Sequence, residues 1–235
     1  MKNSLAYLVM AVMCAASFMS CKKDNYDPPQ SLLTGRLLYK GEQVNVEYNQ
    51  VPFQLFQFGF GKVGAISSTV DQDGRFSALL FDGNYKLTIP ANQGPFLWKK
   101  AASGGQDSLS VTMNGNQDLD IEVMPYFMIR AAKFSAAANK VTGTFSIEKI
   151  IKDADAKNIE RVNLYINKTE FVSTGDYNIA SSQLTAEQVT DPAAVSMTVN
   201  VPAIAPTQDY VFARIGIKIA GVEDMIFSQV EKVRL

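Results

Sequence analysis

The segment from Val70 to Ile89 constrains the fold more than any other part of the sequence, because it holds two strand patterns with a turn before each. Asp73-Gly74 and Asp82-Gly83 are residue pairs that suit turns with a positive φ angle. After each turn, apolar residues recur at the spacing of a strand with one buried face. The apolar positions are Phe76, Leu80, Tyr85 and Leu87. The segment therefore predicts a β-hairpin at the centre of an all-β fold.

For an all-β chain, this length and composition favour two domains. The chain has 235 residues, of which 47% are hydrophobic and 19% charged, which is enough apolar material for two modest cores. Pro125 cannot donate a ladder hydrogen bond, so it marks a boundary between sheets. We predict two consecutive β-sandwich domains, residues 31–124 and 125–235, after a signal peptide at 1–20 and a tether at 21–30.

The N-terminal segment predicts export and lipid attachment. An apolar run from Leu5 to Phe18 follows Lys2 and is shorter than the roughly 20 residues that a membrane-spanning helix needs. Its end at Ser20-Cys21 resembles a bacterial lipobox, in which the cysteine is acylated and becomes the first mature residue. We expect Cys21 to carry the lipid that attaches the protein to the membrane, the alternative being an unmodified residue after an ordinary secretory signal.

The composition argues against several chemistries. The sequence contains no His, which removes the commonest general base and every imidazole metal ligand. Cys14 lies in the signal peptide and Cys21 is the expected lipid site, so no thiol remains for a nucleophile or a disulfide. A net charge of −1 gives no broad positive surface for nucleic acid. We predict a protein that is not an enzyme, with no catalytic residue, no metal and no cofactor.

Two acidic motifs have ordinary structural interpretations. Asp118, Asp120 and Glu122 share one face of a predicted strand, where they are able to bind calcium or to act as an acid and base pair. The outer face of an antiparallel sheet is usually solvated, so we interpret them as surface residues. The segment 71–74 resembles the opening of a calcium loop but lacks the downstream Glu, so it predicts a turn.

Aromatic residues crowd the predicted strand that starts at Val51. Phe53 lies on one face of this strand, while Phe56, Phe58 and Phe60 lie on the other. An exposed aromatic row is able to stack on the apolar faces of sugar rings, whereas a buried row is simply part of the core. Phe56 and Phe58 are therefore hypothetical ligand-binding residues, with core packing as the alternative.

Trp98, the only Trp of the chain, lies in the long predicted loop 91–106. Loops of this length in compact domains are often functional. Trp98 is interpreted either as a sugar platform beside Lys99 and Lys100 or as a lid over the end of the sandwich. In both cases we expect its side chain to be partly exposed.

The second half predicts an immunoglobulin-like or fibronectin-like sandwich. Alternation is clearest in the strands that start at Val195 and Tyr210, which we expect to be central. Residues 173–194 predict an inserted loop, with a capping box for one helical turn at Thr185–Gln188. The predicted strands are Tyr126–Ile129, Lys140–Ile147, Ile159–Ile166, Thr169–Val172, Val195–Val201, Tyr210–Ala220 and Met225–Val233.

Three motifs of the first half resemble the carboxypeptidase regulatory-like, transthyretin-like sandwich. They are Thr34-Gly35-Arg36, Asp71-x-Asp73-Gly74-x-Phe76 and Asp82-Gly83-x-Tyr85-x-Leu87. Together with Cys21, they make the whole chain similar to the Bacteroidota lipoproteins classed as domain of unknown function 3823. The resemblance implies genes beside Sus-type outer-membrane transporters and their glycan-binding lipoproteins, and it implies no catalytic residue.

These observations predict a non-catalytic lipoprotein of the outer membrane that faces the cell exterior. Its predicted function is a surface glycan-binding or accessory module of a Sus-type polysaccharide-utilisation system. The alternative is a structural or protein-interaction subunit that contacts a neighbouring outer-membrane transporter. A hydrolase needs two acids facing each other across a cleft, whereas the acids at 118–122 lie along one strand.

Overall fold

In a computed structural model of the protein, the described residues are 27–59, 64–98 and 107–235, and their regular structure is almost entirely β-strand. The strands of the first half are β1 (Ser31–Tyr39), β2 (Glu42–Gln43), β3 (Asn45–Val46), β4 (Pro52–Gln57), β5 (Ala65–Thr69), β6 (Arg75–Leu80), β7 (Gly83–Thr88), β8 (Phe96–Leu97), β9 (Leu109–Met113), β10 (Gln117–Glu122) and β11 (Met124–Pro125). The first sandwich has two main sheets. In one, β1 pairs in parallel with β10 and antiparallel with β6 and β2, and in the other the order is β5-β4-β7-β9. β8 and β11 pair with each other in a separate two-stranded sheet.

The hairpin predicted for Val70 to Ile89 is wrong in its pairing, although both of its strands exist. β6 pairs with β1, whereas β7 pairs with β4 and β9 in the opposite sheet. The chain therefore crosses the sandwich at residues 81–82, where the Tyr85 hydroxyl donates to the Phe81 carbonyl oxygen over 2.9 Å. Both strands bury alternate side chains in one shared core, so their sequence pattern is the same as that of a hairpin.

A second crossing at residues 114–116 joins β9 to β10, which also belong to different sheets. One Asp82 carboxylate oxygen accepts from the Ser31 hydroxyl over 2.5 Å and from the Gly115 backbone N–H over 3.0 Å. The hydrogen bond from Ser31, followed by that from Gly115, lowers the pKa of Asp82. Asp82 therefore links both crossings to the start of β1.

The second sandwich is formed by β12 (Phe127–Ala137), β13 (Lys140–Lys149), β14 (Ile159–Asn167), β15 (Ala180–Thr185), a 3-10 helix (Ala186–Gln188), β16 (Val195–Asn200), β17 (Tyr210–Ile219), β18 (Ile226–Phe227) and β19 (Glu231–Arg234). One sheet has the order β12-β13-β16, and the other has the order β15-β14-β17-β18. In the second of these sheets, β19 also pairs with β17. The core of this sandwich includes Val141, Leu164, Ile215 and Ile217, all of which are fully buried.

Three predictions for this half are wrong, whereas β17 is central as expected. Residues 169–172 form no strand, because the Asn167 side chain donates to the Phe171 carbonyl oxygen over 2.6 Å and closes a turn. The predicted loop 173–194 contains β15, a polar strand that is held by backbone pairing with β14. β16 ends its sheet in the described structure, where it pairs with β13.

Two further predictions for the second half can be compared directly with the structure. The predicted strand at 225–233 is interrupted, giving β18 and β19. The one-turn helix at residues 186–188 is confirmed, and the Thr185 backbone N–H donates to the Gln188 side chain over 2.9 Å, as in a capping box.

The two sandwiches are joined by a shared sheet. β3 comes from the first half of the chain but pairs with β18, so it extends a sheet of the second sandwich. Buried hydrophobic residues of both halves belong to one contiguous cluster. The buried Asp224 side chain also accepts a hydrogen bond of 2.6 Å from the Gly94 backbone N–H.

Among the residues that the structure describes, no helical segment has the length and hydrophobicity that spanning a bilayer requires.

Candidate functional site

The aromatic strand predicted from the sequence is β4, which lies inside the sheet β5-β4-β7-β9. Phe53 and Leu55 are 2% and 0% exposed and belong to the core. Phe56 lies on the other face, opposite Lys86 of β7, and is half-buried. Phe58 follows the strand and is 62% exposed. The predicted alternation is thus confirmed within β4, at Phe53, Leu55 and Phe56, whereas Phe58 lies beyond the end of the strand and Phe60 lies outside the described residues.

Polar groups cover the outer face of this sheet around Phe56. The Lys86 ammonium donates to the Ser110 hydroxyl over 2.7 Å, and the Thr112 hydroxyl donates to the Asn84 side chain over 2.9 Å. Hydroxyl, amide and ammonium groups on a flat sheet face are suitable hydrogen-bond partners for sugar hydroxyls. The face therefore combines the partly exposed ring of Phe56 with polar side chains.

Trp98 is half-buried, in agreement with the expected partial exposure, and its side chain packs against the core. Its indole N–H donates to the backbone carbonyl oxygen of Asp107 over 3.1 Å. The Thr88 hydroxyl donates to the same carbonyl oxygen over 3.3 Å. These contacts tie Trp98 to the end of β7, as a lid requires, while Lys99 and Lys100 lie outside the described residues.

The acidic row of β10 is exposed, as interpreted from the sequence, but β10 pairs in parallel with β1 and not in the antiparallel sheet that was expected. The Thr34 hydroxyl donates to Asp118 over 2.9 Å, and the Lys40 backbone N–H donates to Glu122. The Arg36 guanidinium donates two hydrogen bonds to Asp120, at 2.9 and 2.6 Å, and this contact lowers the pKa of Asp120. The row therefore strengthens the parallel pairing of β1 with β10.

The other acidic motif is a turn, as predicted. The Asp71 carboxylate accepts from the backbone N–H groups of Asp73 and Arg75 over 2.9 and 2.8 Å. Gly74 has a φ of +74°, which a residue with a side chain adopts rarely. In the described part of the chain, no group of three or more His, Cys, Asp or Glu residues is placed to hold a metal.

The structure also brings together three aromatic residues that the sequence analysis missed. The Tyr48 ring lies 5.0 Å from that of Phe171 and 4.6 Å from that of Tyr177. Phe171 is 48% exposed and Tyr177 is 38% exposed. More than 120 residues separate Tyr48 from its partners, so no local pattern links them. The one sequence signal is a Tyr-Asn pair in a polar turn, present at Tyr48-Asn49 and at Tyr177-Asn178.

A polar cleft of about 660 Å³ opens on the first sandwich, and its lining includes the residue that follows Tyr48 in the chain. Asn49, the residue after Tyr48, lines the cleft and accepts a hydrogen bond of 3.4 Å from the Thr69 hydroxyl. The cleft also contains side chains of both charges. Among the lining residues are Asp71, Arg75, Ser77 and Asp118.

Cys21, the predicted lipid site, lies outside the described residues. Its acylation therefore stays a prediction from the sequence.

Comparison with known proteins identifies related sequences and structures. Residues 31–124 match the family model described as the N-terminal domain of a protein of unknown function (DUF3823), and residues 127–232 match the model of the corresponding C-terminal domain of unknown function. Both descriptions leave the function open. No curated protein matches the chain.

Several solved structures share the fold over 88% of this chain and 100% of their own. DUF3823 family proteins from Parabacteroides merdae and Bacteroides ovatus are 32% and 31% identical, with TM-scores of 0.75 and 0.74. A protein from Bacteroides uniformis, described as a candidate carbohydrate binding protein, is 16% identical with a TM-score of 0.66. At that identity the likeness demonstrates a common fold.

Proposed function

The chain belongs to the DUF3823 family, and from this membership we propose that it is a non-catalytic, glycan-binding accessory lipoprotein of a Sus-type polysaccharide-utilisation system. The proposal has two parts, a sugar-binding surface on the first sandwich and a lipid anchor at Cys21. Each part is supported by separate observations and has its own test.

The observation that carries sugar binding is the exposure of Phe58. This ring is 62% exposed and lies just after β4, two residues after Phe56, which is half-buried on the polar outer face of the sheet. The apolar face of a pyranose packs on such a ring, while Lys86 and Ser110 offer hydrogen-bonding groups for its hydroxyls. A sheet face of this kind suits a flat segment of polysaccharide.

Two further observations direct the choice of ligand toward sugars. The Bacteroides uniformis protein with the same fold is described as a candidate carbohydrate binding protein. The resemblance of the chain to Bacteroidota lipoproteins encoded beside Sus-type transporters implies a setting of glycan uptake. Neither observation assigns a residue, so the residue assignment depends on Phe58, Phe56 and Trp98.

The predicted lipid on Cys21 would attach the protein to the outer membrane. A tether of residues 21–30 spans about 35 Å at full extension, which separates the first sandwich from the headgroup region. We place the protein at the outer membrane, facing the cell exterior, where a binding module meets polysaccharide before transport.

Affinity electrophoresis and calorimetry of the full chain against a polysaccharide panel test the sugar-binding part. Phe58→Ala is expected to weaken binding by about 1 to 3 kcal/mol while leaving the fold intact. Leu79→Ala is the matched control, because Leu79 is 56% exposed but lies on the opposite sheet. Absence of binding to every glycan of the panel contradicts the proposal.

A second function is favoured by an exposed apolar pair. Leu32 of β1 and Leu79 of β6 lie directly opposite each other and are 39% and 56% exposed. Together the two leucines form a small exposed apolar patch that another protein is able to cover. This pair supports the alternative function, in which the protein is a structural subunit that contacts a neighbouring outer-membrane transporter.

Co-purification from native membranes separates the two functions. If the protein is a structural subunit, the Leu79→Asp variant is expected to lose the co-purifying transporter, whereas the Phe58→Ala variant is expected to keep it. If it is a glycan-binding module, Phe58→Ala reduces glycan binding and Leu79→Asp leaves it unchanged.

A further inference from the structure

The aromatic group formed by Tyr48, Phe171 and Tyr177, here called the junction platform, combines residues from both sandwiches. Tyr48 follows β3, and the other two lie between β14 and β15. The rings of Tyr48 and Phe171 are tilted by 48°, and those of Tyr48 and Tyr177 by 69°. These are favourable arrangements for aromatic pairs, yet two of the rings keep more than a third of their surface exposed.

The loop that carries Tyr177 is held by hydrogen bonds. The backbone N–H of the buried Ser173 donates to the Tyr177 carbonyl oxygen over 3.0 Å, and the Asn178 side chain donates to the Ser173 carbonyl oxygen over 3.0 Å. The Ser173 hydroxyl in turn accepts from the Tyr48 backbone N–H over 3.3 Å. An aromatic surface fixed in this way loses little conformational entropy when a ligand binds.

Phe171 is positioned by a residue of the first sandwich. The Gln72 side chain donates to the Glu170 carbonyl oxygen over 3.0 Å and accepts from the Val172 backbone N–H over 3.3 Å. It thus holds the backbone on both sides of Phe171. Gln72 is 5% exposed, so these hydrogen bonds are shielded from water.

The junction platform and the polar cleft are connected by two short chain segments. Tyr48 belongs to the platform and Asn49 to the cleft, while Asp71 lines the cleft and Gln72 positions Phe171. A cleft of about 660 Å³ is within the range of small-molecule sites. The junction platform and the polar cleft are thus built on the same two segments of the chain.

The chemistry of the cleft favours a neutral, hydroxyl-rich ligand. Arg36 and Arg75 line the same cleft as Asp71 and Asp118, so two cations are matched by two carboxylates and neither sign of charge dominates. Planar amide, carboxylate and guanidinium groups donate to and accept from neighbouring hydroxyls of one sugar ring. A single-sign field, as needed for phosphate or nucleic acid, is not present among these residues.

We propose that the junction platform and the polar cleft together form a second saccharide-binding site, in which a pyranose stacks on the exposed rings and the next residue of the glycan enters the cleft. This assignment rests on the proposed glycan-binding function but uses residues distinct from Phe56, Phe58 and Trp98. It implies that the two sandwiches bind one glycan jointly.

The test is calorimetry of the full chain with neutral hexasaccharides that have gluco, xylo, manno and galacto backbones. Phe171→Ala with Tyr177→Ala is expected to lower affinity about tenfold or more. Ser77→Trp introduces bulk into the cleft from an exposed strand position and is expected to have the same effect, so the test does not depend on one variant remaining folded. Phe58→Ala is the comparison for the first site.

The outcomes distinguish this site from the proposed function. If Phe58→Ala removes binding and the junction and cleft variants do not, the junction site is wrong and the glycan-binding function stands. If the wild type binds none of the four hexasaccharides, the junction site is overturned, and the polysaccharide panel then decides the proposed function separately. If the junction variants lose a co-purifying outer-membrane protein and keep sugar affinity, the surface contacts protein, and the assignment is also wrong.

Discussion

Arg214 donates a hydrogen bond of 2.5 Å from Nη2 to the backbone carbonyl oxygen of Gln72, and this contact joins the second sandwich to the first. The side chain is fully buried and lies over the Phe227 ring at 4.5 Å. It also donates to the carbonyl oxygens of Ser228 and Val172 over 2.7 and 3.3 Å. Burial lowers the pKa of Arg214 to about 9, so the side chain is still cationic at neutral pH.

Arg214→Met is expected to destabilise the protein by about 3 kcal/mol or more. Methionine fills similar space but leaves three buried carbonyl oxygens without their donor, and each such loss costs about 1 to 3 kcal/mol. Urea unfolding, with comparison of both midpoint and slope, measures the change.

Arg161→Met on the neighbouring strand is the matched control. Arg161 is only partly buried and pairs with the adjacent Glu160, so its loss is expected to cost at most about 1 kcal/mol. Equal effects of the two substitutions contradict a joining role for Arg214.

Asp224 is expected to make stability depend on pH. Burial raises its pKa above the ordinary value of 3.8, and the hydrogen bond from the Gly94 backbone N–H offsets only part of this effect. Between the two pKa values the folded state binds more protons than the unfolded state, so stability falls as pH rises through this window. The loss of stability from ionising the buried carboxyl is complete once the pH exceeds the pKa of Asp224 in the folded state.

Comparison of Asp224→Asn with wild type at about pH 4 and at neutral pH isolates this effect. Asparagine cannot ionise, so the variant is expected to gain stability relative to wild type as pH rises. Asp120→Asn is the opposite control, because Arg36 lowers the pKa of Asp120 and its contribution is lost toward acid pH. Parallel profiles for wild type and Asp224→Asn would rule out this role.

Trp98→Ala is expected to lower stability by about 2 kcal/mol, less than a fully buried aromatic costs, because the indole packs on the core and is half-buried. Phe58→Ala, which removes a mostly exposed ring, is expected to change stability by at most about 0.5 kcal/mol. Thermal unfolding of both variants gives the comparison.

The fluorescence of this single Trp separates its two interpretations. A lid gives a spectrum that glycan does not shift, and glycan affinity that survives the substitution. A glycan-dependent shift together with lost affinity in Trp98→Ala would instead establish a sugar platform.

Cys21→Ala is expected to release the protein from the membrane, since the acylated cysteine is the predicted hydrophobic attachment of the mature chain. Fractionation after a high-salt wash measures the distribution. Ser20→Ala keeps a small residue before the cysteine, and this control is expected to remain with the membrane. A Cys21→Ala protein that still sediments with outer membranes shows a different tether.

Local structure was largely predictable from the sequence, because turns and alternating burial depend on neighbouring residues. The turn at 71–74, the outward face of Phe56 and the central strand β17 all follow from short patterns. The polar strand β15 was missed because backbone pairing with β14, rather than its own side chains, holds it in the sheet.

The sequence by itself determined an all-β chain with two sandwiches and with alternating faces along most of its strands. The tertiary structure decided which strands pair, because β6 and β7 bury the same kind of face whether they lie in one sheet or in two. It also decided that β3 would join the second sandwich and that Tyr48 would meet Phe171 and Tyr177. These last two contacts join segments more than 100 residues apart in the chain. Local periodicity carries no information about which distant segments will meet.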